Sequence, residues 1–292
     1  MLEKKISKYL FNNDKIIKFK LSKIFFCSFN QLRNNSICFL KDNKDEYALK
    51  INLFKNVILI TNKKNKNINK KIIQLIKLNP KNYFFDFIEK FYKNKNQFYE
   101  PKIGKNTIYS KNISIGQNVT IGENCKIYPN VVIADNVNIG NNCILKSNCI
   151  IGQKGFGLTR DKAGNLKEIN HYGGVEIKNN VEIGALTTIS QGTIDNTIIN
   201  SYTKIDDHVH IGHNCIIGKN NSFCAGSIIG GSTFIGENNF FGLNCTIKNS
   251  LNIENNNFIA QFTSVTKNIT SNKLVYGNPE KQVRNIFKNK YF

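Results

Sequence analysis

No two cysteines of this chain are spaced as CxxC, no window of 18 residues is apolar throughout, and arginine occurs only at Arg33, Arg160 and Arg284. The missing apolar window excludes a membrane-spanning helix. The opening Met1-Leu2-Glu3-Lys4-Lys5 leads into a broken, charged stretch, so no secretory signal is expected. Of the eight cysteines, Cys125, Cys143, Cys149, Cys215 and Cys245 read as packing residues, which fits a reducing compartment, and the expected location is the cytoplasm. Also absent are a Ser-His-Asp order, a phosphate-cradling GxxxxGKS and a pair of catalytic carboxylates.

Acidic residues are few, 20 against 41 basic, which leaves a net charge of +21. Almost all of the basic charge is lysine, and Asn and Ile are abundant, so part of the excess reflects AT-rich coding. The charge favours anionic partners such as phosphates or an acidic protein, and allows peripheral contact with a membrane surface. A nucleic-acid partner is not expected, because the basic residues are scattered and no reader motif is present. The run from Lys63 to Lys71 reads as a solvated loop.

What the chain does have is a period of six. Large apolar residues recur from Ile103 through Tyr109, Ile115, Ile121, Ile127, Ile133, Ile139 and Leu145 to Ile151. The phase returns at Ile177, Ile183 and Ile189, and again from Ile199 to Val265 without a break. The next residue is often Gly, and the residue four later is usually small, five times a cysteine. This is neither a helical nor a simple strand period. It is the hexapeptide signature of a parallel β-helix, with three repeats per coil and residues 18 apart stacked on one face. The glycines are expected to supply the positive φ of the corners.

The fold class is therefore mainly β, a parallel β-helix with a small N-terminal α/β domain. The expected segments are 1–99 for the α/β domain, 100–267 for the solenoid and 268–292 for a short tail with room for one helix. In the first segment, apolar runs at 24–28, 36–40 and 56–61 read as strands. Asn79-Pro80 opens a helix from 81 to about 92, with Phe84, Phe85, Ile88 and Phe91 on its apolar side. Insertions at 152–174 and 190–198 interrupt the solenoid, and loops on a monotonous scaffold tend to carry function.

All four histidines, His171, His208, His210 and His213, fall close together. His213 comes two residues after the inward Ile211 and so points outward, where an imidazole can act as a general base. His210 flanks the same face, His171 lies in the glycine-rich insertion, and His208 is a surface residue. The spacing H-x-H-x-x-H lacks a nearby cysteine and sends its rings to different faces, so no metal site is expected. Eighteen residues after His213 comes Gly231, which leaves room for a slender ligand and offers a backbone N–H to an oxyanion. A lone outward histidine suits removal of a proton from an amine or hydroxyl that attacks a thioester, without a covalent enzyme intermediate.

These residues resemble the UDP-3-O-acylglucosamine N-acyltransferases of lipid A synthesis over about residues 20–285. The resemblance is strongest from Gly155-Phe156-Gly157 through Gly173-Gly174-Val175, Val181-Glu182-Ile183-Gly184-Ala185 and Thr187-Thr188-Ile189 to Ile211-Gly212-His213-Asn214. It implies a left-handed coil and a homotrimer. It implies catalytic roles for His213 as base, Asp206 in setting its polarity and Gly231 at the oxyanion. Phe39 and Tyr47 would hold a uracil ring, and Phe156, His171, His210 and Asn214 would line the substrate site. The donor would be a 3-hydroxyacyl phosphopantetheine thioester on acyl carrier protein, the acceptor a UDP-sugar amine, with no further cofactor. The chain departs from the family at Ser250, where a second histidine is usual, at Ser190-Gln191, where Asp-Arg is usual, and in its short C-terminal tail. Two alternatives are an acetyl-CoA-dependent N-acetyltransferase of a nucleotide-linked amino sugar and an inactive hexapeptide scaffold.

Overall fold

The computed structural model describes residues 25–29, 31–40, 42–91, 99–161, 163–279 and 281–285. The chain divides into two compact units, Met1–Asn96 with Leu158–Asn170, and Gln97–Gly157 with His171–Phe292. This differs from the three segments drawn from the sequence: most of the first insertion folds with the first unit, and the tail goes with the second. Ile24 and Tyr92, at the ends of an expected strand and helix, lie outside the described residues.

The first unit is a four-stranded parallel sheet in sequential order, β1 (Phe25–Phe26), β2 (Ser36–Leu40), β3 (Val57–Thr61) and β4 (Ile73–Ile76). The helices are α1 (Glu46–Ile51) and α2 (Pro80–Phe91). Alternate strand residues face opposite sides. Cys38, Leu40 and Leu59 pack with Ala48 and Ile51 of α1. Phe39, on the other side, meets Phe84 and Phe85 of α2 at 5.1 and 5.9 Å. Proline suits the first turn of α2, where its missing N–H costs nothing, and Asn79 Oδ1 accepts the Asn82 N–H at 3.1 Å. Phe87, which the sequence pattern left out, is buried beside Phe84 and Ile88. The antiparallel hairpin Leu158–Arg160 and Leu166–Glu168 is tied to α2: Lys81 Nζ donates to the Leu158 carbonyl at 3.1 Å and Asn170 Nδ2 to Glu89 Oε1 at 2.8 Å.

The second unit is a parallel β-helix with three sheets of eight, eight and ten strands. Most strands are only two or three residues long, and each pairs with its counterparts one coil away. Where no insertion intervenes the offset is 18 residues, as in Ile199–Ile217–Ile235–Ile253. The inward residues from Ile121 to Val265 are buried, each contributing about 1.5–3 kcal/mol of hydrophobic stabilisation. Ile103 and Tyr109 keep the phase but are 36% and 52% exposed, because the coil they belong to has a neighbour on one side only. The small cysteines are buried packing residues, and burial pushes the thiols of Cys149 and Cys215 up to about 12.

The corners are made differently from the expectation. Except at Gly152 (φ 90°), where the first insertion begins, the glycine after the inward residue does not have positive φ; Gly226 (φ 74°) supplies it at the corner itself. The glycine after the inward residue permits close approach: a Cβ on Gly122 would stand 2.2 Å from Asn141 Oδ1 and 2.6 Å from the Gly140 carbonyl carbon. The left-handed residue is the third after the inward one, and it is usually asparagine, as at Asn124 (φ 57°), Asn142 (φ 57°) and Asn220 (φ 56°). Asparagine tolerates this region better than other side chains. Three asparagines also occupy the interior small position. Asn221, Asn239 and Asn257 are buried, and the Asn239 and Asn257 backbone N–H groups donate to the preceding side-chain oxygen at 2.8 Å. This ladder satisfies polar groups that would otherwise be costly inside. Among its described residues the tail forms the strands Lys273–Tyr276 and Lys281–Asn285, antiparallel to each other, and no helix; the first continues the ten-stranded sheet, and 286–292 lie outside the described residues.

Candidate active site

His213 stands on the corner that follows the strand His210–Ile211. Gly212 before it lets the next coil close in, since a Cβ there would lie 2.5 Å from the Gly231 nitrogen. Asn214 after it takes the left-handed corner at φ 60°. The imidazole is thereby fixed outward, and it lies in a slot between two glycines. A Cβ on Gly231 would come within 2.9 Å of its Nε2, and a Cβ on Gly155 within 2.8 Å of its Cδ2. The space over Gly231 is thus filled by the imidazole itself, not left for a slender ligand as the stacking arithmetic suggested. Gly155 belongs to the inserted loop, whose next residue, Phe156, is 87% exposed. His171, at the other end of the insertion, sets its ring edge-on to His213 at 5.8 Å between centroids.

The side chain of Asn214 turns to His213 instead of outward to a substrate. Its Oδ1 accepts the Thr193 backbone N–H at 2.6 Å. Its Nδ2 reaches Thr193 Oγ1 at 2.9 Å and His213 Nδ1 at 2.8 Å. Thr193 comes from the second insertion, so the first insertion meets this histidine through Gly155 and the second reaches it through Asn214.

Gly231 occupies the same place one coil later. At several comparable corners, those followed one coil later by Asp or Asn, the N–H of that residue is captured by the side-chain oxygen: Gln117 by Asp135 at 2.7 Å, Glu123 by Asn141 at 2.8 Å, Ala185 by Asp207 at 2.6 Å and Glu237 by Asn255 at 2.7 Å. For Gly231 the corresponding residue is Asn249, whose amide turns to Ser250 Oγ at 3.4 Å. Among the described residues the Gly231 N–H has no hydrogen-bond partner. An unpaired donor beside an outward imidazole is the arrangement that acyl transfer needs: one group to handle a proton and one to bind the oxyanion.

Other expected residues lie elsewhere. Asp206 follows the strand Lys204–Ile205 in the ten-stranded sheet, one corner before His213, because seven residues are one repeat plus one. Its charge raises the Cys224 thiol pKa, after burial, and contributes to raising that of Lys146. His213 Nδ1 is held by Asn214. His210 lies outward on the preceding face with Nδ1 at 2.7 Å from Thr188 Oγ1, and burial lowers its pKa. His208 fills an exposed left-handed corner at φ 58°. Phe39 and Tyr47 do not face one another. Phe39 packs under α2, while Tyr47 packs on the α1 side against Phe29 at 4.9 Å, so the sheet separates the two rings. Among the described residues no group of three or more His, Cys, Asp or Glu is placed to hold a metal ion, and no helix is long and apolar enough to cross a membrane.

Residues 100–135 and 118–153 match the bacterial transferase hexapeptide (six repeats) family. A UDP-3-O-acylglucosamine N-acyltransferase 2 of Legionella pneumophila (strain Lens) is 49% identical over 75 residues, 26% of this chain and 22% of the relative. The UDP-3-O-acylglucosamine N-acyltransferase of Campylobacter lari is 35% identical over 129 residues, 44% of this chain and 40% of the relative. The matched stretches thus span about a fifth to two fifths of the relatives' own length. Among solved structures, a UDP-N-acetylglucosamine acyltransferase superposes with a TM-score of 0.57 at 22% identity, over 65% of this chain and 72% of that one. The Francisella novicida UDP-N-acetylglucosamine acyltransferase does so with 0.52 at 23% identity, over 63% and 68%. In repeat and fold the chain is a left-handed parallel β-helix of hexapeptides, and in sequence it is similar, over part of its length, to UDP-3-O-acylglucosamine N-acyltransferases.

Proposed function

We propose that the protein is an N-acyltransferase of lipid A synthesis. It moves a 3-hydroxyacyl chain from the phosphopantetheine thioester of acyl carrier protein to the 2-amine of UDP-3-O-(3-hydroxyacyl)-glucosamine. The observation that carries this reading is the pairing of the outward His213 imidazole with the unpaired Gly231 N–H, in a chain whose relatives bear that activity. The amine attacks the thioester carbonyl, the oxyanion forms at the Gly231 N–H, and His213 takes the amine proton. Collapse breaks the carbon–sulfur bond, and the proton passes to the departing thiolate. The acidic carrier suits a chain of net charge +21. A homotrimer at work in the cytoplasm completes this reading.

The test is a donor comparison by mass spectrometry. Purified protein receives the UDP-3-O-acyl-glucosamine acceptor with either 3-hydroxyacyl carrier protein or acetyl-CoA. The expected product gains one hydroxyacyl chain with the carrier protein alone. Acetylation would overturn the donor, and no product from either would overturn the acceptor.

A further inference from the structure

Asn214 has more constraints on it than a substrate-binding residue needs. A backbone N–H can only donate, so the Thr193 N–H at 2.6 Å fixes which end of the Asn214 amide is oxygen. The other end is then the NH2 group, with two hydrogens. Three acceptors stand around it, and the two nearest take the hydrogens: Thr193 Oγ1 at 2.9 Å and His213 Nδ1 at 2.8 Å, with Ser232 Oγ farther off at 3.4 Å. A nitrogen that accepts a hydrogen bond carries no proton. The neutral imidazole therefore has its proton on Nε2, the atom that lies over Gly231.

A base protonated at the nitrogen that faces the substrate cannot accept there. We infer that Asn214 is the positioning residue of His213, and that its amide holds the resting imidazole in the Nε2–H tautomer. The ring becomes a base at Nε2 only when an oxygen replaces the amide NH2 opposite Nδ1. In the resting state Nε2–H and the Gly231 N–H form a pair of donors on one side of the slot. When the amide turns over, Nδ1 takes the proton and donates to the Asn214 oxygen, and Nε2 is left with a lone pair for the amine proton. The cost of turning is the Thr193 N–H contact, so the second insertion sets how readily the base is armed. His171 is the other titratable ring against His213, edge-on at 5.8 Å between centroids.

The role assigned to Asn214 rests on His213 handling the proton, but its first test needs no substrate. With only four histidines, nitrogen-15 labelling of the imidazoles in the whole protein gives four side-chain signatures, and the His213→Gln variant identifies the one of interest. The expected result is the Nε2–H pattern for His213 at neutral to mildly alkaline pH. In Asn214→Asp one carboxylate oxygen keeps the Thr193 N–H and the other faces Nδ1, so the pattern should change to Nδ1–H. An Nδ1–H signature in the unsubstituted protein would overturn the inference whatever the enzyme acylates. Kinetics supply the second readout. Asn214→Ala should lower kcat by about tenfold or more with little change in KM, in the direction of the loss seen when a base is held in the wrong tautomer. Asn214→Asp should restore kcat to at least the starting value. Equal loss in both variants would show that the amide serves packing alone.

Discussion

The corner at Asp135 and the corner at Gly231 are built on the same repeat, yet only one of them is finished. At the first, the Asp135 carboxylate reaches back to the Gln117 N–H, and a Cβ on Gly116 would collide with that oxygen at 2.3 Å. At the second, Gly231 has no side chain and an imidazole from the coil before fills that space, while the Gly231 N–H is left open because Asn249 turns to Ser250. What sets this corner apart is that an open N–H and an outward imidazole stand side by side.

The largest effect should come from removing the imidazole. His213→Ala should cut turnover by about 10² to 10⁴, while circular dichroism and sedimentation stay as in the unsubstituted protein; retained turnover would end the assignment. Next is Gly231→Ala, which keeps the N–H but puts a methyl 2.9 Å from Nε2. Because the atom it meets is the end of a side chain, kcat should fall by about tenfold or more with little loss in Tm. The same change at a finished corner, Gly122→Ala, meets backbone at 2.6 Å and should do the reverse. It should cost about 1–3 kcal/mol of stability, seen in denaturant melts, with kcat per folded molecule unchanged. Closing the open corner is subtler. Ser250→Ala releases Asn249 to cap the Gly231 N–H, as Asn255 caps Glu237, and should lower kcat towards the loss of one oxyanion donor, at most about a hundredfold.

The smallest effect concerns pH. Burial lowers the His210 pKa from its ordinary 6.5. Between the folded value and 6.5 the unfolded chain binds more protons, so this residue's share of stability is complete above 6.5 and declines as pH falls below it. His210→Gln should flatten the decline of Tm over that interval, and an unchanged slope would show the burial to be unimportant.

Much of the solenoid was legible because its core is one-dimensional. Ile199, Ile217, Ile235 and Ile253 repeat the same environment, so a period seen in sequence is a contact in space. The arithmetic that stacked Gly231 on His213 worked for the same reason. What it could not give was contact between faces. Asp206 is close to His213 in sequence but a corner away, and Thr193 and Gly155 reach His213 only through insertions that obey no period. The φ assignment failed because glycine was credited with freedom where the packing demanded its lack of a side chain, while Asn142 and its counterparts took the left-handed turn. In the first unit, Phe39 and Tyr47 were paired by the resemblance alone, and the sheet places their rings on opposite sides.

The register of 18 residues per coil has a bearing on how such a molecule can change. Each coil bonds only to the one before and the one after, and neighbouring coils stand about 4.8 Å apart. Length is therefore editable in whole units. A duplication or deletion of one coil beyond Gly231 lengthens or shortens the corner by one step and leaves the slot around His213 as it was. Insertions that fall between coils, like those that bring Gly155 and Thr193 to the histidine, add function without disturbing the count. Reach and chemistry are thus inherited separately in this architecture, one as a number of coils and the other as what hangs between them.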